Sequence, residues 1–160
     1  MAGAAVLALQ WPPVWGWAVA IVIVVLGGII VTSVAGPHLA AVGVTPDDRL
    51  LVRPVGLMRV WALTKGIDVP VTSILDVGVH ERRGLLRGFI GWRTPGTYLP
   101  GFMVAGTYRS KGEKDLWMVG RARHVLVIEL TGEAYRRVVV QVEDPEAATE
   151  ALRAAMTRER

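Results

Sequence analysis

The chain has no cysteine, which excludes disulfides, thiolate nucleophiles and cysteine-based zinc or iron–sulfur sites. Formal charge is missing from Ala2 to Pro46, so that all 18 lysines and arginines and all 14 aspartates and glutamates fall between Asp47 and Arg160. The net charge of +4 is too mild for the concentrated basic stripe of a nucleic-acid binder. No G-x-S-x-G elbow occurs, and no histidine pair at helical metal-binding spacing. Gly101 to Gly106 followed by Thr107 has the outline of a phosphate loop but lacks its lysine. These absences argue against catalysis, a cofactor, a resident metal and a nucleic-acid partner.

What is present divides in two. Val14 to Val34 is a largely apolar run with no ionisable side chain, and at ~1.5 Å per residue a helix of that length reaches roughly 30 Å, the thickness of a bilayer core. The sequence therefore predicts a membrane anchor over 1–36 with a transmembrane helix at about 14–35, and a linker over 37–47. A cleaved secretory signal is the competing reading, because Ser33-Val34-Ala35 resembles a cleavage site, but no basic residue precedes the run. Trp11, Trp15 and Trp17 would sit at the membrane interface. Gly16, Ala20, Gly28 and Thr32 recur at small-residue spacing and would let two helices pack closely. The nearest cations, Arg49, Arg53, Arg59 and Lys65, follow the run, so the positive-inside rule predicts a single-pass protein of the cell membrane with its domain in the cytoplasm.

From Asp48 onward the pattern is one of short β-type runs parted by Gly, Pro or charged clusters. Seven strands are expected: Arg49 to Arg53, Met58 to Leu63, Ile67 to Val79, Phe102 to Tyr108, Asp115 to Val119, Val125 to Leu130 and Tyr135 to Val142. Pro70 should put the third at an edge or break it. The period then changes. Asp144 suits an N-cap, Pro145 a first helical position and Glu146 the positive end of the dipole, which predicts a helix over 145–157 with Ala148, Ala151, Leu152, Ala155 and Met156 as its apolar stripe.

Seven strands and a terminal helix are the element order of a pleckstrin-homology-like (PH-like) domain. The run Ile67-Asp-Val-Pro-Val-Thr-Ser-Ile74, the segment Pro95-Gly-Thr-Tyr-Leu-Pro-Gly-Phe102 and the ending Val138-Val-Val-Gln-Val-Glu-Asp-Pro-Glu146 resemble bacterial PH-like domain proteins. The resemblance implies a membrane-anchored, mainly β protein whose residues 48–160 form a seven-stranded β-barrel or sandwich closed by one C-terminal helix. It speaks to fold more than to activity. Phosphoinositide binding of the eukaryotic PH type finds little support in the first hairpin, where Arg53 and Arg59 stand far apart.

The stretch 81–101 is longer than a β connection needs, and loops of that length are commonly functional. Arg82, Arg83, Arg87 and Arg93 alternate there with Leu86, Phe89 and Trp92, a mixture suited to a protein partner, to anionic lipid or to plugging one end of the barrel. A second basic group, Arg121 and Arg123 with Arg136 and Arg137, would share neighbouring strands, where alternating charges usually form a solvated face. His80 and His124, near Asp76 and Glu129, make a metal site conceivable. The sequence as a whole predicts a non-enzymatic, membrane-tethered module for protein–protein interaction or self-assembly, with membrane lipids as partners of the anchor. The alternative is an anionic-lipid-binding or sensing module using 81–101.

Overall fold

The computed structural model describes residues 13–36, 38–87, 92–99, 101–110 and 112–159, with side chains among these except at 13–15, 30–35, 92–96 and 110. The chain divides into two compact units, Met1–Thr32 and Ser33–Arg160. The first contains most of a helix, α1 (Pro13–Ala35). Its described side chains are all apolar, and Trp17, Ile21, Ile23 and Val24 are well exposed.

Here the structure corrects the sequence. Among the described residues no helix is long and apolar enough to cross a membrane. The transmembrane helix at 14–35 is overturned on that finding, and with it the membrane-anchored fold class, the integral-membrane reading and the single-pass location with a cytoplasmic domain.

Among its described residues the second unit has nine strands in two sheets. β1 (Ala40–Val44), β2 (Arg49–Pro54) and β3 (Ile67–Pro70) form an antiparallel three-stranded sheet. A short helix, α2 (Met58–Trp61), sits between β2 and β3. A 3-10 turn at Val71–Ser73 leads from β3 into β4 (Ile74–Glu81). A second short helix, α3 (Arg82–Arg87), follows, then β5 (Trp92–Leu99), β6 (Met103–Ser110), β7 (Glu113–Val119), β8 (His124–Leu130) and β9 (Arg137–Val140). Their order in the six-stranded sheet is β4-β8-β9-β7-β6-β5. β9 thus lies between β7 and β8, parallel to the first and antiparallel to the second.

Alternation along the central strands supplies two cores. Leu116, Met118, Leu126, Ile128, Val138 and Val140 point to one side and join Leu50, Val52, Val69 and Leu152 in the main cluster. Trp117, Val119, Val125, Val127 and Val139 point to the other and join Val104 and Tyr108. A strand buried on both faces reads as a continuous apolar run, as Val125 to Ile128 does. Leu85 and Leu86 of α3 pack on the second cluster.

The last helix, α4 (Pro145–Arg158), closes over the main core with Leu152 and Ala155 buried. Asp144 Oδ1 accepts from the Ala147 amide at 2.8 Å, satisfying one of the donors a helix start leaves open. Replacing Asp144 by alanine should lower the unfolding free energy by about 1 kcal/mol, measured by urea denaturation, with Asp144→Asn close to the parent.

Candidate anion-binding cleft

β4 and β8 pair so that Glu81 faces His124, which brings the start of α3 beside the connection 120–123 from β7 to β8. A half-open cleft of about 400 Å³ lies at this corner, lined by Glu81, Arg82, Arg83, Arg121, Ala122 and Arg123. Among the described residues the lining therefore holds four arginines and one glutamate.

The floor is fixed by backbone and buried polar groups. Arg82 donates its amide to the Arg123 carbonyl at 2.9 Å and its Nη1 to the Gly120 carbonyl at 2.6 Å. From beneath, Gln141 Oε1 accepts the amides of Gly120 at 3.0 Å and Ala122 at 3.1 Å. Its Nε2 donates to the Gly36 carbonyl at 3.1 Å, and its own amide donates to the Met118 carbonyl. The side chain of Gln141 is therefore a staple, buried in the domain, where each polar atom needs its partner.

Three guanidiniums stand on that floor without holding it up. Arg121 stacks on the ring of Phe102, 5.2 Å from the centroid. Arg123 Nε stands 3.6 Å from Glu81 Oε1. Arg83 is exposed. Guanidinium groups are permanently charged, present their donors in a planar fork and suit carboxylate or phosphate oxygens. They do not exchange protons near neutral pH.

Of the residues singled out in the sequence, Arg82 and Arg83 line the cleft. Leu86 is half-buried on the second core cluster, and Arg87 is an exposed residue at the end of α3. Phe89 lies outside the described residues, as do the side chains of Trp92 and Arg93, although the backbone of both belongs to β5. On α1, Trp17, Gly16, Ala20 and Gly28 are exposed or nearly so; Trp11 and the side chains of Trp15 and Thr32 lie outside the described residues.

The second basic group splits. Arg121 and Arg123 join the cleft, whereas Arg137 pairs with buried Asp115 at 2.7 Å and Arg136 with Glu113 at 2.6 Å. The antiparallel β8–β9 pairing sets Arg137 opposite Glu129, at the far end of β8 from Arg123. Among the described residues no three histidines, aspartates or glutamates gather as a metal site. Gln141 and Phe102 were not singled out as site residues in the sequence; a lone glutamine in the run Val138 to Val142 was the available signal for the first.

Compared with protein-family models, with curated proteins and with solved structures, the chain matches none.

Proposed function

We propose that this chain is a binding module with no chemistry of its own, recognising an anionic segment of a partner protein through the arginine cleft. The resemblance to bacterial PH-like domains belongs to the same proposal. The observation that carries the reading is the convergence of four arginines, from two separate stretches of sequence, on one concave site with a pinned floor. Such groups bind and orient an anion, and among the described residues the lining offers no serine, threonine, lysine or histidine to go with them.

Contact with an anionic lipid layer is the second reading, favoured by the 45 % exposure of Phe102 beside Arg121. A protein partner is preferred because Leu85 and Leu86, which follow Arg82 and Arg83 on α3, are partly buried against the second core cluster and are not free to enter headgroups.

The test is titration of the full chain with a dye-labelled oligoglutamate peptide. Binding should weaken as salt rises, and the paired substitution Arg121→Ala with Arg123→Ala should weaken it about 10-fold while leaving the melting temperature close to the parent. Salt-independent binding, or binding indifferent to both arginines, counts against the reading.

A further inference from the structure

Glu81 is the acid that lines the arginine cleft, and its surroundings give it an unusual position. It ends β4 and its carboxylate approaches Arg123 Nε at 3.6 Å, with both side chains largely open to water, at 53 % and 79 %. An ion pair so exposed contributes little to stability. Nor is it needed to hold the loop, since the Gly120 and Arg123 carbonyls are held by Arg82 and the Gly120 and Ala122 amides by Gln141. The carboxylate instead fills the space beside Arg123 that an incoming anionic oxygen would take.

Resting on the anion-binding reading above, we infer that Glu81 is a built-in, displaceable occupant of the cleft and that the ligand it yields to is a phosphoryl dianion on a side chain of a partner protein. A carboxylate arriving from outside exchanges one carboxylate–Arg123 contact for another and gains little. A phosphoryl group brings close to two negative charges and three strong acceptor oxygens near neutral pH. It can engage Arg123 together with Arg83 and Arg121, which Glu81, the one carboxylate among the described lining residues, leaves uncompensated. The Arg83 side chain is exposed and has no hydrogen-bond or ion-pair partner among the described residues, and Arg121 rests its face on Phe102. Glu81 therefore sets a threshold: every ligand must displace it, and the dianion has the larger return for doing so.

Fluorescence anisotropy of the full chain tests this with two dye-labelled alanine-rich decapeptides, one carrying a central phosphoserine and the other glutamate at that place. The phosphopeptide should bind about 10-fold more tightly. Glu81→Gln should tighten both by about 3- to 5-fold, the fold-change an exposed ion pair represents, and Glu81→Ala should do the same. A merely structural glutamate would give the opposite sign, because loosening Arg123 weakens binding.

Equal affinity for the two peptides, lost in the Arg121→Ala, Arg123→Ala protein, overturns dianion selection and leaves the anion-binding reading standing. Unchanged or weaker binding by both Glu81 variants overturns the occupant role. Failure of both peptides to bind overturns the inference and the reading together. Association confined to vesicles of equal parts phosphatidylglycerol and phosphatidylcholine assigns the cleft to a lipid surface and overturns the protein ligand.

Discussion

Replacing Gly66 by alanine is expected to destabilise the domain by about 4 kcal/mol, near the upper end for a single substitution. Two causes act at one position. Gly66 has φ +96°, a conformation that side-chain-bearing residues reach only with strain of about 1–2 kcal/mol. A Cβ there would also stand 2.0 Å from the Val52 carbonyl oxygen and 3.1 Å from Arg53 Cα. Both are backbone atoms of β2, so no side chain can swing aside. The strand must move, and it holds the register Val52 with Ile67 that starts β3. Overpacking of this kind adds about 1–3 kcal/mol. Urea denaturation of the variant measures the loss; Gly112→Ala is the control, with a similar φ of +88° but open space around it, and it should show only the strain.

Replacing Gln141 by leucine should cost about 3 kcal/mol and reach the cleft as well. Leucine is close to glutamine in size, so the effect comes from three groups that lose their partner: the Gly120 and Ala122 amides and the Gly36 carbonyl. A buried group left unsatisfied costs about 1–3 kcal/mol, and water relieves part of this at Gly36 and Ala122, which are half-buried. The expected pattern is a lowered denaturation midpoint together with faster amide exchange confined first to 120–122. Anion affinity should drop about 10-fold, because Arg121 and Arg123 then project from a loop that is no longer pinned. Gln141→Glu retains the acceptor for both amides and should restore their slow exchange. If the leucine variant binds anions as well as the parent, the loop 120–123 is not the recognition surface.

Local chemistry was legible where a few adjacent residues decide it. Asp144-Pro145-Glu146 announces the start of α4, and Val125 to Leu130 and Val138 to Val140 announce strands by composition and alternation. Legibility fell where tertiary packing overrides local preference. Ala40 to Val44, small and glycine-containing, reads as a linker but pairs with β2 as β1. Met58 to Leu63 reads as a strand, yet its first four residues form α2 and Leu63 takes φ +49°, a bend no periodicity announces. Trp92 to Leu99 reads as a loop because of Pro95 and Gly96, and forms β5 at a sheet edge with a register shift between Arg93 and Gly96, where a strand proline is tolerated.

The site was half legible for the same reason. Arg82 and Arg83 stood out as a basic cluster, and Arg121 and Arg123 as another, but their meeting depends on the pairing of β4 with β8. Nothing local to either stretch encodes that pairing. The grouping of Arg121 and Arg123 with Arg136 and Arg137 failed on geometry: residues before one strand of an antiparallel hairpin and residues at the start of the next lie a strand length apart.

The place of β9 between β7 and β8 bears on how this protein is made. As the chain leaves the ribosome, β5, β6 and β7 can zip together and β4 can find β8, but the two fragments share no seam until residues 137–140 have emerged. Each fragment waits with a naked strand edge of the kind that recruits other nascent chains. The four-residue insert Arg137-Val-Val-Val140 is thus a keystone delivered late in synthesis, and translation that stalls before it should leave an aggregation-prone product.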